Sequence, residues 1–352
     1  MNDTKAFKKT FRKTVIVTVA GIASAIAVIL SSCSRFTGYS PGNYSANERT
    51  QAGENNEING ENRENIEEVS EKAENKAENK TEDKVENKVK NKTVGNEVQK
   101  REIINPEGAT IKGRFQPPEG FTRVEAEEDS FGAYLRNLPL KPHGSKVKYY
   151  NGKTKPKNVH EAVIDIDVGD RDLQQCADAV MRLRAEYLYA RKMYDKIHFN
   201  FVNGFKADYV SWMNGNRIVV KGNDAYWVKQ ADYSDSYETF RKYMDMVFAY
   251  ANTESLEKEM RNIGLEDMQI GDVFLKGSLP GHCVIIVDMA ENEETGEKLF
   301  MIAQSYMPAQ DIHILKNEKE RDISPWYSLN FGEKLITPEW EFTRNQLYRF
   351  VQ

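Results

Sequence analysis

The sequence predicts an α+β fold for residues 103–352, in which helices pack on a mainly antiparallel sheet. This part of the chain contains nearly all of the aromatic residues, which indicates a globular core. Predicted helices come first, and four strand-like segments are then grouped at residues 272–276, 282–289, 298–305 and 311–315. Strands that are grouped after helices favour separate α and β regions over the alternating units of a parallel sheet.

The predicted helices are segments in which apolar residues recur with the helical period. The clearest is residues 172–195, for which Asp172 is a suitable N-cap. Its apolar face consists of Ala179, Val180, Leu183, Tyr187 and Met193. The other predicted helices are residues 131–138, 236–251 and 255–263.

Strands are predicted where apolar and polar residues alternate, or where a short apolar run ends in a turn. Residues 162–168 alternate in this way, and residues 197–202 end at a turn of Asn203 and Gly204. In the later β-rich run, residues 293–296 are the expected turn of a hairpin. Residues 347–350 are expected to form a last strand at the edge of the sheet.

Charge and residue spacing exclude several classes of function. The net charge is −5, whereas a nucleic-acid-binding protein needs a basic face for phosphate, so we expect no nucleic-acid partner. The histidines lack a metal-ligand spacing such as His-Glu-x-x-His, and the sequence contains no Walker loop. We therefore expect neither a metal nor another cofactor.

Residues 1–32 have the three parts of a bacterial lipoprotein signal peptide. Its basic start contains Lys5, Lys8, Lys9, Arg12 and Lys13. An apolar run at residues 14–30 follows and leads into Leu-Ser-Ser-Cys at residues 30–33. The sequence thus predicts cleavage before Cys33, lipid on that thiol and attachment to the outer face of a membrane. The alternative is an uncleaved transmembrane anchor of about 17 residues, near the shortest length that spans a bilayer.

Residues 33–102 are predicted to form a disordered, charged linker behind the lipid anchor. They are rich in Glu, Asn and Lys and contain a four-residue repeat at residues 73–88. Asn is a poor helix former, and no apolar stripe is available to bury. A flexible coil of this kind spans roughly 45 Å and would hold the globular domain away from the lipid surface. The alternative is a linker with no role beyond solubility.

Three polar residues are candidates for catalytic chemistry. Cys176 lies in the first turns of the predicted helix, where the helix dipole and free N–H groups stabilise a thiolate. His282 begins an apolar strand, and Gln304 lies near the end of the next one. The sequence predicts a thiol hydrolase site in which Cys176 is the nucleophile, His282 the general base and Gln304 the residue that orients the imidazole. The N–H groups of Cys176 and Gln175 would stabilise the oxyanion.

Two short segments carry a resemblance to a known family. Residues 271–274 (Gly-Asp-Val-Phe) and 281–285 (Gly-His-Cys-Val-Ile) resemble the signature of NlpC-type cell-wall peptidases, which belong to the papain-like superfamily. The order in that family is Cys on a helix, His on a strand and a polar residue on the next strand. The resemblance implies a papain-like core and the same assignment of Cys176, His282 and Gln304.

The globular part as a whole resembles a second family. Its segments 173–178, 182–189, 280–282 and 303–310 are similar to an uncharacterised family of bacterial lipoproteins, the domain of unknown function numbered 4846. This resemblance covers about residues 103–352. It implies a family membership without an established activity.

Each candidate residue also has a structural interpretation. Cys176 is most simply explained as a small buried residue, and a disulfide bond between Cys176 and Cys283 is a further alternative. Because His282 and Cys283 are adjacent on a strand, they point to opposite faces, and a Cys176 that faces His282 is not expected to reach Cys283. The structural alternative for His282 is that it caps a turn. For Gln304 it is that the side chain forms a hydrogen bond with a buried backbone group.

The function predicted from these observations is that of a lipid-anchored protein of the cell envelope. As an enzyme, it would be a cysteine hydrolase that acts on a peptide, amide or ester bond of a wall component. As a non-catalytic protein, it would bind cell-wall glycan, peptide or a protein partner through surface aromatic residues.

Overall fold

The computed structural model describes residues 102–351 of the chain. Within these residues the helices are α1 (Ile111–Arg114), α2 (Phe131–Arg136), α3 (Cys176–Ala190), α4 (Tyr209–Met213), α5 (Tyr237–Tyr250) and α6 (Thr253–Glu259). The predicted signal peptide, Cys33 and nearly all of the predicted linker lie outside the described residues. No helix of the described part is both long and apolar enough to cross a bilayer.

The strands of residues 102–351 are mostly short. They are β1 (Thr122–Arg123), β2 (His160–Val163), β3 (His198–Asn200), β4 (Lys206–Asp208), β5 (Asn216–Lys221), β6 (Asp224–Lys229), β7 (Met260–Asn262), β8 (Val273–Lys276), β9 (His282–Glu291), β10 (Lys298–Gln304), β11 (His313–Leu315), β12 (Tyr327–Ser328), β13 (Lys334–Ile336), β14 (Glu341–Thr343) and β15 (Leu347–Phe350).

One antiparallel sheet organises the domain. Its strands lie in the order β2-β11-β10-β9-β8-β15-β7, with β1 paired to β9 and β12 paired to β10. The remaining strands form three two-stranded hairpins, β3-β4, β5-β6 and β13-β14. The predicted α+β class with a mainly antiparallel sheet is therefore confirmed.

Both faces of the central strands are buried. On β9, Cys283, Ile285 and Val287 belong to the core that includes α3, whereas Val284 and Ile286 belong to a second core with residues of β13-β14. The two-residue alternation of a strand explains this division. Because neither face of β9 meets water, its apolar run is nearly continuous, which is why the sequence predicts it so clearly.

Several sequence predictions need correction. The helix predicted at residues 255–263 ends at Glu259 and is followed by strand β7. Helix α3 begins at Cys176 with Gln175 as the N-cap residue, and Asp172 instead accepts hydrogen bonds from Gln175 Nε2 and Ala309 N. It ends at Ala190, five residues before the predicted end. Strand β15 is not an edge strand, because it pairs with β8 on one side and β7 on the other.

A buried ion-pair cluster joins the N-terminal part of the domain to the sheet. Asp288 on β9 is fully buried, and its two oxygens accept from Arg123 Nε at 2.8 Å and Arg136 Nε at 2.6 Å. Removal of the carboxylate would leave two guanidinium groups without their partner in a region with little access to water.

We predict that Asp288→Ala lowers the free energy of unfolding by about 3–5 kcal/mol, as breaking a buried pair does. Denaturant unfolding followed by circular dichroism measures the change. The matched control is Glu341→Ala, which removes the exposed ion pair with Lys334 and should cost less than about 1 kcal/mol. Equal losses in both variants would contradict this role of Asp288.

Candidate active site

Cys176 is the first residue of α3 and lies beside the start of β9. The preceding N–H, that of Gln175, donates to the Asp178 carboxylate at 2.9 Å and to the carbonyl of Leu173 at 2.7 Å. Asp178 thus caps the helix from within its first turn. The N–H of Cys176 itself has no acceptor among residues 102–351, so it remains available to a ligand.

The thiol of Cys176 lies within hydrogen-bonding reach of both Cys283 and His282. Hydrogen bonding from Cys283, followed by hydrogen bonding and charge from His282, lowers the pKa of the Cys176 thiol well below its ordinary value, although burial acts in the opposite direction. By contrast, burial and the neighbouring sulfur of Cys176 raise the pKa of Cys283 well above its ordinary value. Cys176 is therefore the thiolate of the pair, and Cys283 is the donor.

His282 is the first residue of β9, and Gln304 is the last residue of β10. Both side chains are buried, and His282 Nε2 lies 2.8 Å from Gln304 Oε1. Gly281 permits this placement of His282, because a Cβ on that residue would lie 2.3 Å from Thr253 Oγ1. An aromatic frame holds the imidazole in place and consists of Tyr306, Trp340 and Phe342, at ring-centroid distances of 4.8, 5.3 and 5.9 Å.

The structure brings together all three residues that the sequence predicted, Cys176, His282 and Gln304. Since the amide oxygen of Gln304 accepts from Nε2, the other ring nitrogen of His282, Nδ1, is left to exchange a proton with the sulfur. A low-pKa thiol, an adjacent imidazole and an orienting amide are the groups that nucleophilic acyl transfer requires.

The structure also corrects two details of the predicted site. The N–H of Gln175 is occupied by Asp178 and Leu173, so it cannot serve the oxyanion as expected. His282 and Cys283 do point to opposite faces of the sheet, but Cys176 is nevertheless within reach of both. Cys176 lies beside the first residues of β9, where a side chain from helix α3 can reach past the end of the strand to both of its faces. Both cysteines are free thiols.

Sequence reasoning missed two residues that contact Gln304. Gln304 Nε2 lies 2.8 Å from a carboxylate oxygen of Glu339 and 3.4 Å from His313 Nε2. Glu339 lies in the loop of the β13-β14 hairpin, which the sequence did not predict. For His313 a partial signal existed, because it lies in the predicted strand at residues 311–315, which follows the predicted strand at residues 298–305. None of the described residues form a group of three metal-ligating side chains.

The comparisons with known proteins identify the family. The family model of the domain of unknown function 4846 matches residues 111–349, and the chain belongs to this family. Cys176, His282 and Gln304 all lie within the matched residues. The comparison with curated proteins found no match, and neither did the comparison with solved structures.

The contribution of His282 to the lowered pKa of the Cys176 thiol predicts the behaviour of a His282→Ala variant. Because the thiolate persists below the ordinary thiol pKa, Cys176 should react with iodoacetamide rapidly at about pH 6.5, where ordinary thiols are almost fully protonated. Loss of the imidazole should raise the midpoint of the rate-versus-pH curve and slow the reaction at about pH 6.5 by about tenfold or more, since one pKa unit is a tenfold change.

Mass spectrometry of the alkylated peptide measures this rate at Cys176 alone. The control is His143→Ala, which removes an exposed histidine and should leave the rate unchanged. If wild-type Cys176 is alkylated only after unfolding, the thiolate assignment is wrong.

Proposed function

We propose that this protein is a lipid-anchored cysteine hydrolase of the cell envelope, which cleaves an amide, peptide or ester bond of a wall component. The observation that carries the proposal is the contact of the Cys176 thiol with His282, whose far nitrogen is held by Gln304 at 2.8 Å. No other role explains a low-pKa thiol at a helix N-terminus beside an oriented imidazole as simply.

In the proposed reaction Nδ1 of His282 first takes the proton of the Cys176 thiol, the sulfur attacks the carbonyl carbon, and the carbonyl oxygen gains negative charge. The N–H of Cys176 donates to this oxygen. The bond to the leaving amine or alcohol then breaks as His282 donates a proton to it, which leaves an acyl group on the sulfur. His282 next accepts a proton from water, and the resulting hydroxide attacks the acyl carbon. The carbon–sulfur bond then breaks, which releases the acid and restores the Cys176 thiolate beside the protonated His282.

Two exposed apolar side chains lie three residues from proposed catalytic residues along the chain. Leu279 precedes His282 by three residues and is 71% exposed, and Met307 follows Gln304 by three residues and is 61% exposed. Exposed apolar side chains so near the catalytic residues in sequence are candidates for contact with a ligand. We propose that they bind the part of the substrate next to the scissile bond.

The order of the site residues supports a relation to the papain-like peptidases. A cysteine begins a helix, a histidine begins a strand, and a glutamine ends the antiparallel neighbour of that strand. We propose that the domain shares the NlpC-type core on this basis.

The proposed location depends on residues 1–33. A basic start, an apolar run and a cysteine after two serines fit export, cleavage and lipidation at Cys33. The charged residues 33–102 would then let the domain reach its substrate from the membrane surface. The proposed partners are accordingly the membrane, through the lipid, and a component of the cell wall.

We predict that Cys176→Ala abolishes the release of new amino or hydroxyl groups from isolated cell-wall material, because the nucleophile is lost. Gln304→Ala should lower the rate by about tenfold to a hundredfold, since the imidazole loses its orientation. Chemical labelling of the newly formed groups after incubation with the full-length protein measures both effects.

The alternative function, non-catalytic binding, has its own signature in the same experiment. Wild type and Cys176→Ala would then retain wall fragments equally, and neither would release new end groups. That outcome would overturn the hydrolase proposal.

For the anchor, we predict that Cys33→Ser prevents lipidation and moves the protein from the detergent-rich to the aqueous phase, or leaves it with an uncleaved signal. Intact-mass analysis of the wild-type protein should find a chain that begins at a lipid-modified Cys33. A wild-type chain that retains residues 14–30 without lipid would instead indicate a transmembrane anchor.

A further inference from the structure

The amide group of Gln304 is held by contacts on both of its ends. Its oxygen faces His282 Nε2 at 2.8 Å, and its nitrogen faces Glu339 at 2.8 Å and His313 Nε2 at 3.4 Å. The three neighbours therefore decide which end of the amide faces the proposed catalytic histidine.

His313 accepts a hydrogen bond from this amide. Its Nδ1 lies 2.8 Å from the carbonyl oxygen of Asp311, which only accepts, so Nδ1 carries the proton. The ring is fully buried, and burial lowers the pKa of His313 to about 3, so it is neutral at ordinary pH. A neutral ring with a proton on Nδ1 presents a lone pair at Nε2, and that lone pair faces the nitrogen of Gln304.

Glu339 is the second acceptor, and a buried lysine holds it in place. Lys155 Nζ lies 2.8 and 2.9 Å from the two carboxylate oxygens of Glu339 and 2.9 Å from Gln310 Oε1. Both side chains of the ion pair are almost completely buried. The carboxylate has no proton to donate, so the group that faces it must be a donor.

We propose that Glu339, His313 and Lys155 are positioning residues that fix the amide of Gln304 and thereby select the ring nitrogen of His282 that faces Cys176. A reversed amide would place its oxygen against a carboxylate and a ring lone pair, which is strongly unfavourable. With the amide fixed, Oε1 requires a proton on His282 Nε2, and Nδ1 is left for the sulfur. The catalytic consequence rests on the proposed function, whereas the tautomer itself does not.

Several other titratable or charged groups surround this system. Cys283 and Asp178 lie near the sulfur, Tyr306 packs on the His282 ring, and Lys276 is the strand partner of His282. None of these four groups is hydrogen-bonded to the Gln304 amide. A substitution at Glu339 therefore changes the contacts of the amide and leaves the four groups in place.

The test is Glu339→Gln, which keeps the shape of the side chain but gives it only one acceptor oxygen. One carboxylate oxygen of Glu339 contacts both Lys155 and Gln304, and the other contacts Lys155, so in either orientation the new amide turns its NH₂ group toward one of these two residues. The negative charge that held the Gln304 nitrogen is also lost, so a reversed Gln304 amide becomes more favourable. We expect alkylation of Cys176 at about pH 6.5 to slow by about tenfold, with a midpoint shifted upward by about one pH unit, because a hydrogen bond to a charged imidazole is lost. The matched control is Glu341→Gln on the same hairpin, where the exposed pair with Lys334 has no contact with the site.

A second measurement separates positioning from a general effect on folding. In a Cys176→Ala background, nitrogen NMR of neutral His282 should find the proton on Nε2, and Glu339→Gln should increase the share of rings protonated on Nδ1. If Glu339 only stabilised the fold, its substitution would not change the share of His282 rings that are protonated on Nδ1.

The outcomes distinguish the two proposals. If wild-type Cys176 reacts rapidly at about pH 6.5 but Glu339→Gln behaves like Glu341→Gln in both measurements, the positioning inference is overturned and the hydrolase proposal stands. If wild-type Cys176 is unreactive while the tautomer still shifts with Glu339→Gln, the hydrolase proposal fails and the positioning of His282 stands.

Discussion

The hydrogen bond between His282 and Gln304 is the interaction on which the site depends. It exists because β9 and β10 are antiparallel, so the beginning of one strand lies beside the end of the other. Strand β11 continues this arrangement, since its first residue, His313, is paired directly with Gln304. Three polar side chains therefore meet at one end of the sheet. Burial there makes each of their hydrogen bonds costly to lose, so the arrangement is well defined.

The helix supplies the reactive atom to this polar layer. Helix α3 packs on β9 and begins at the same end of the sheet, which brings Cys176 to the first residues of the strand. There the sulfur is approached by two side chains from opposite faces of β9. Cys283 lies on the face that packs against α3, and His282 lies on the other face. Asp178 caps the helix but does not occupy the N–H of Cys176. The same local geometry thus lowers the thiol pKa and leaves a donor free for developing negative charge.

The parts of the site that the sequence predicts are those with a strong local pattern. The apolar run after His282 indicates a buried strand, and the 3.6-residue period after Cys176 indicates a helix, so both residues could be placed on elements. Glu339 could not be found in this way, because the β13 and β14 strands have three residues each and lack a periodic signal. The cap at Asp172 was mispredicted because Asp178 competes for the N-terminal N–H groups and Asp172 has a tertiary partner, Ala309. Tertiary pairing likewise places β15 inside the sheet, which no local pattern reveals.

The central claim is that Cys283 and His282 lower the pKa of the Cys176 thiol well below its ordinary value. Ultraviolet absorbance of the thiolate, measured as the difference between wild type and Cys176→Ala during a pH titration, tests this claim directly. The account predicts that the difference signal appears at a clearly lower pH than that of an ordinary thiol, whose pKa is about 8.5. A signal that appears only at or above that ordinary range would contradict the account.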